Sequence, residues 1–146
     1  MAEPANTQFE KLQQAILAMP MARTLGLRFL HVSAGRVELE VPMAEALTFR
    51  PGQMQAIPVF GIADFAAVGA AATLLEPGWV NATIDGTLKL VGAASGIALR
   101  ARGRVVDASR LITVCAADVF AVSDSGEERL CATWLGTARN IDAARK

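Results

Sequence analysis

Histidine occurs once in this sequence, at His31, and cysteine twice, at Cys115 and Cys131. The cysteines form no C-x-x-C pair, and so few nitrogen and sulphur ligands argue against a multi-ligand zinc site. No serine sits in a G-x-S-x-G turn, which removes an α/β-hydrolase mechanism. Phosphate-loop and dinucleotide fingerprints are missing as well. Neither sign of charge is in excess, with 14 Lys plus Arg against 14 Asp plus Glu. No strong field therefore draws the chain to nucleic acid or to an anionic membrane. Repeats and low-complexity segments are absent. The N-terminal M-A-E-P-A-N-T-Q-F-E-K lacks a basic leader and an apolar signal core, which gives the expectation of a cytoplasmic protein.

What is present is a globular composition. Of 146 residues, 53% are apolar and 19% charged, enough for one domain over 1–146 with a real core. The most informative stretch is Q-A-I-P-V-F-G-I-A-D-F-A-A-V-G-A-A-A-T-L-L, residues 55–75. From Ala56 to Leu75 its single charge is Asp64. The run is about long enough to cross a bilayer. Pro58, Gly61, Gly69 and Asp64 argue against that, since an Asp at a membrane-helix centre costs roughly 2.5–3.5 kcal/mol. The run instead predicts a helix over 57–75, buried on nearly all sides, with Pro58 in its first turn.

Around it the pattern is that of a half-buried sheet. A helix is expected over 7–19, with Thr7 and Glu10 as a capping box and Phe9, Leu12, Ile16 and Met19 as its apolar stripe; Pro20 ends it. Strands are expected over 27–33 and 36–42, the second alternating Val37, Leu39, Val41 with Arg36, Glu38, Glu40. Residues 44–55 read as loop. Four further strands follow at 82–91, 96–106, 110–122 and 128–139. The third is apolar on both faces, which suits a central or interface position. Turns at 107–109 and 123–126 suit antiparallel hairpins. One helix buried by one curled antiparallel sheet is an α+β plan, the hotdog arrangement.

In that order and spacing, L-G-L at 25–27, G-R-V-E-L-E-V-P at 35–42, Gly52, G-I-A-D-F-A-A-V-G-A-A at 61–71, T-I-D-G-T-L-K-L at 83–90 and A-T-W-L-G-T at 132–137 resemble the PaaI-like group of hotdog-fold acyl-CoA thioesterases. The resemblance covers roughly Leu25 to Asn140. It implies a thioester hydrolase with Asp64 as general base or nucleophile, and the backbone amide of Ala56, with Ile57, as oxyanion donor. Gln55 stands where the family has His, Ala56 and Ile57 where it has two Gly, and Thr83 where it has Ser or Thr near the acid. Phe49 stands at an Asn or Gln position, and a phenyl ring holds no water. The resemblance further implies a homodimer or dimer of dimers, with sheets joined edge to edge and each site drawing on both subunits. No metal or cofactor is implied beyond coenzyme A as part of the substrate.

Each candidate also has a plainer reading. A lone acid among apolar walls has a raised pKa and marks sites, or else pairs with Thr83, Thr87 or an Arg at an interface. Gln55 either bonds the thioester region or caps the helix. Thr83 assists Asp64 or is an ordinary strand threonine. Arg50, Lys89, Arg110 and Arg139 are candidates for the CoA phosphates, or solvated surface charges. Arg100, Arg102 and Arg104 read as a solvated outer sheet face. His31 forms a dyad with Asp64 or is a partly exposed strand histidine. Cys115 and Cys131 read as core. The competing function is a hotdog domain that binds an acyl or aromatic-acyl ligand without hydrolysing it, motivated by Phe49 and Ile57. A hydratase or dehydratase ranks last, since that chemistry wants a His beside the acid.

Overall fold

A computed structural model describes residues 5–145. The chain opens with α1 (Ala5–Leu17) and α2 (Pro20–Leu25), then β1 (Arg28–Ser33) and β2 (Arg36–Pro42). A 3-10 turn (Glu45–Leu47) leads to β3 (Thr48–Arg50), β4 (Gln53–Met54) and the long α3 (Ala56–Ala72). Four strands complete it: β5 (Trp79–Leu90), β6 (Ala98–Ala108), β7 (Ile112–Val122) and β8 (Glu128–Asp142). Six strands form one antiparallel sheet in the order β1-β2-β6-β7-β8-β5. β7 is central, as its two apolar faces suggested. α3 lies across the sheet, so the expected hotdog plan is the observed one.

Differences are local. α1 already includes Thr7, so the expected capping box does not start the helix. Pro20 begins α2 as well as following α1, because proline's fixed φ and missing N–H suit a first helical position. Gly26 at φ 69 then turns the chain out of α2 toward β1. The expected loop at 44–55 contains the 3-10 turn and a two-stranded ribbon, with Thr48 opposite Met54 and Arg50 opposite Gln53. α3 stops at Ala72, short of 75. The Thr73 hydroxyl donates to Ala70 O at 2.6 Å and accepts the Gly35 N–H at 2.7 Å, which ties the helix end to the β1–β2 turn. β5 starts at Trp79, earlier than alternation indicated, because β8 runs on to Asp142 and pairs with it there.

The core forms where α3 meets the sheet's inner face. Val59, Ile62, Ala63, Ala66, Ala67 and Ala70 are fully buried against Val37, Leu39, Leu99, Ala101, Val119 and Trp134. Small side chains let the helix approach closely, and Gly103 of β6 is the tightest point: a Cβ there would sit 2.0 Å from Ala66 O. The helix is not enclosed all round. Ile57 is exposed, and Phe60, Gly61, Asp64, Phe65, Val68 and Ala72 are half-buried. These recur every three or four residues and so form one stripe facing away from the sheet centre.

The arginine face is also not simply solvated. Glu40 is buried to 9% exposure between Arg28 and Arg100, with Arg100 Nε 2.7 Å from its Oε2. Glu128 takes Arg100 at 3.0 Å and Arg102 at 2.7 Å, and Arg104 faces Asp118 at 3.8 Å. Alternation placed these residues on one face; the register across β2, β6, β7 and the β8 end supplied their partners.

Candidate active site

Asp64 lies on the open stripe of α3, where it meets the edge strand β5. The Thr83 hydroxyl donates to Asp64 Oδ1 at 2.6 Å. A bulge in β5 between Thr83 and Asp85 breaks the register at that point, and such bulges re-aim side chains beside sites. Burial pushes the Asp64 carboxyl above the usual carboxylate range, and the Thr83 hydrogen bond opposes that rise without cancelling it. With Thr83 occupying Oδ1, the second oxygen is left to accept a proton.

The carboxyl borders a cavity of about 320 Å³. Its walls are Phe65, Val68 and Leu75 of the α3 side, Trp79 of β5, and Leu12 and Met19 from the α1 segment. Asn81, also on this wall, donates from Nδ2 to Val68 O at 3.1 Å and pins the strand to the helix. Trp79, Asn81 and the α1 segment were not among the candidates read from the sequence. The α1 stripe was visible as periodicity, but periodicity does not say what it covers.

Ala56 is the first residue of α3, and Gln55 precedes it in an extended conformation, φ −65 and ψ 155. The Gln55 side chain makes no capping bond, so its capping role is not observed. The first amides of a helix have no partner within it, and the helix dipole favours negative charge there. No non-glycine residue among those described has positive φ, so Ala56 fits without strain. Gln55, Ala56 and Ile57 line a second cavity, of about 740 Å³, with Met21, Leu25, Phe60 and Leu88. Ala56 and Asp64 are thus on one helix but border different cavities, separated by roughly 12 Å along the axis at 1.5 Å per residue.

The remaining candidates disperse. Phe49 is exposed, beside Arg50, in a third recess with Glu45 and Gly52, and touches neither cavity above. Arg50 donates to Gln53 Oε1 at 2.9 and 2.6 Å. Lys89 is exposed on β5, opposite Thr133. Arg110 lies over the Trp79 ring at 5.6 Å. His31 is exposed on β1, at the opposite sheet edge from β5, with Nε2 2.9 Å from Ser33 Oγ. His31 does not line the cavity that Asp64 borders, and the two side chains take separate partners, Ser33 and Thr83, so the dyad with Asp64 is not observed. Cys115 and Cys131 are fully buried, and burial pushes each thiol up to about 11, which leaves them protonated core residues. Among the described residues no helix is long and apolar enough to cross a membrane.

No protein-family model and no curated protein matches the sequence. Solved structures do. A thioesterase family protein from Silicibacter pomeroyi aligns with TM-score 0.87 and 32% identity, over 91% of this chain and 97% of its own. A Haemophilus influenzae thioesterase aligns with TM-score 0.79 and 18% identity, over 92% and 91%. The E. coli PaaI protein from the phenylacetic acid degradation operon aligns with TM-score 0.79 and 15% identity, over 94% and 96%. The last two share the fold; the first, at its identity and coverage, shows kinship, and the chain belongs to the hotdog-fold thioesterase family of thioester hydrolases.

Proposed function

We propose that the protein is an acyl-CoA thioesterase whose site is completed by a second copy of the chain. The observation that carries this is the half-buried Asp64 carboxyl, held by Thr83 at the rim of an apolar cavity. Asp64 is the general base. It takes a proton from water as the oxygen adds to the thioester carbonyl carbon. The resulting oxyanion accepts a hydrogen bond from the Ala56 amide, supported by Ile57 and Gln55 at the positive end of a helix. Collapse breaks the carbon–sulphur bond, and the thiolate leaves with the proton held by Asp64. Products are a free acid and coenzyme A, and water is the only other reactant.

The base and the oxyanion donor must both lie near one carbonyl group, each within about 3 Å of its target. A separation of roughly 12 Å along one helix does not allow that. Joining two chains along β5 does. β5 ends the sheet, runs 12 residues and exposes Val80, Ile84 and Leu90 along an unpaired edge. A long apolar edge of this kind calls for a partner. An antiparallel β5–β5 joint sets the two α3 helices side by side in opposite directions. Asp64 of one then approaches Ala56 of the other.

The test uses two variants and their mixture. Asp64→Asn removes the base and lowers thiol release from acyl-CoA by at least ~100-fold. Ala56→Pro deletes one amide proton while suiting a first helical turn, and lowers it by ~100- to 1,000-fold. Refolding the two variants together restores about a quarter of wild-type activity, because half the twofold dimers are mixed and each carries one intact site. No recovery on mixing would place both groups in one chain. Full activity in Asp64→Asn would remove Asp64 from the reaction. Tight acyl-CoA binding without thiol release in the wild type would favour the non-hydrolytic reading.

A further inference from the structure

The sequence offers Arg50, Lys89, Arg110 and Arg139 for a polyanionic ligand, and the fold separates them. Arg50 is committed to Gln53 and shares its recess with Glu45. Lys89 stands alone of the four on the body of β5. Arg110 and Arg139 instead meet around one recess of about 200 Å³, joined by Arg145, with Trp79 as its wall. The geometry points to this recess as the phosphate subsite for a thiol ester whose thiol carries a nucleotide diphosphate. The inference rests on the thioesterase reading and assigns its substrate's anionic end.

Three observations carry it. First, charge: three arginines line the recess with one carboxylate, Asp142, which is already engaged by the Ala144 N–H at 3.1 Å and by Arg145 Nε at 3.7 Å. Elsewhere Arg28, Arg100, Arg102 and Arg104 each have a carboxylate partner. Among the described residues Arg110 and Arg139 form no ion pair, so their forks remain available for phosphate oxygens. Second, placement: Arg110 stacks on the Trp79 ring at 5.6 Å, and stacking leaves the N–H edge of a guanidinium free. Arg139 and Asn140 are presented by β8 where the β6–β7 turn folds over it, and Asn140 Nδ2 locks that turn by donating to Ser109 O at 3.1 Å and to Thr113 Oγ1 at 3.2 Å. Third, reach: Trp79 also walls the Asp64 cavity. Thr83 to Trp79 is four residues of strand, roughly 13 Å. An extended pantetheine arm has about 13 bonds from sulphur to the first phosphorus, roughly 16 Å at a peptide-like rise per bond. A thioester at Asp64 thus delivers its phosphates to the arginines on the far side of the indole.

The experiment compares two substrates with one acyl group: the CoA ester and the N-acetylcysteamine ester, which has no nucleotide. Arg110→Ala and Arg139→Ala each raise KM for the CoA ester about tenfold or more, as loss of a charge-assisted hydrogen bond does. Both leave kcat and the N-acetylcysteamine ester unaffected, and Arg→Lys recovers part of the loss. Adenosine 3′,5′-bisphosphate binds the wild type, read by tryptophan fluorescence, and binds each alanine variant about tenfold more weakly. Equal KM values in wild type and variants, or bisphosphate binding untouched by both substitutions, overturns the subsite. The fluorescence titration needs no turnover. Binding lost in the variants of a protein that hydrolyses neither ester would uphold the subsite while the thioesterase reading falls.

Discussion

Gly103→Ala tests whether the approach of α3 to the sheet sets both stability and the site. Gly103 lies on β6 between Val37 of β2 and Ala117 of β7, directly beneath the helix. An added Cβ would lie 2.0 Å from Ala66 O, 2.2 Å from its carbonyl carbon and 2.7 Å from Ala67 N. All three are backbone atoms, so no rotamer change relieves the clash. Ordinary contact begins near 3.4 Å, so the helix must recede by roughly 1.4 Å at this point. A gap of about 0.5–1 Å already forfeits a quarter to a half of each dispersion contact, and Ile62, Ala63, Ala66, Ala67 and Ala70 all pack on this face. The upper part of the overpacking range, about 3 kcal/mol, is therefore expected. At about 2–4 °C per kcal/mol for a chain of this size, Tm falls by about 6–12 °C. Asp64 is two residues from the clash, and its 2.6 Å bond to Thr83 does not survive a shift of that size. A misplacement of about 1 Å can cost 100-fold in rate. Thermal unfolding by circular dichroism, with thiol release measured well below both melting temperatures, reads the two effects separately. A Tm within about 2 °C of wild type and unchanged turnover would refute the packing argument.

Other outcomes follow from the same geometry. Thr83→Val removes the hydrogen bond that lowers the Asp64 pKa, so the acid limb of the kcat/KM profile moves to higher pH, while Thr83→Ser leaves it in place; coincident profiles for Val and wild type would separate Thr83 from the titration. Asp64 is raised from 3.8 by burial, so the folded state binds its proton more tightly than the unfolded state, and that stability is lost as pH rises through the raised value. Asp64→Asn therefore melts above wild type near neutral pH, and the gap closes as pH falls toward 3.8; a constant gap would contradict the burial. Cys115 and Cys131, buried with thiols at about 11, do not react with Ellman's reagent until the protein unfolds, and rapid labelling of the folded protein would show the strands open there.

The sequence made the architecture readable because its periods were unambiguous. Alternation in 36–42 and a helical run around Asp64 fixed the strand, the helix and their contact. It misplaced ends where tertiary partners decide them: β5 reaches back to Trp79 only because β8 is there to pair with it. The long helix was expected to be enclosed. Its composition is apolar on every side, and composition cannot show that the stripe through Phe60, Asp64 and Val68 is only half-buried within the chain. Of the site, the Asp64–Thr83 contact, across nineteen residues, was legible through the family resemblance, which implies a Ser or Thr near the acid. Trp79, Asn81 and the arginine recess were not, since they depend on which end of β8 the β6–β7 turn folds over.

The open stripe also explains why a single carboxylate is tolerated among Ala, Gly, Val and Phe. At the sheet centre an ionised Asp would stand against Leu39, Leu99 and Ala101 with no donor, at a cost of several kcal/mol. On the stripe it has Thr83 and partial access to water, and that partial access keeps its pKa raised but titratable. In the proposed dimer the second copy's helix closes over this stripe and withdraws much of that water. In that dimer, association would strengthen the base and would also bring the amide that stabilises the product of its attack. Dilution to monomer should then abolish turnover while leaving each chain folded, because the α3 core and the sheet register are complete within one chain.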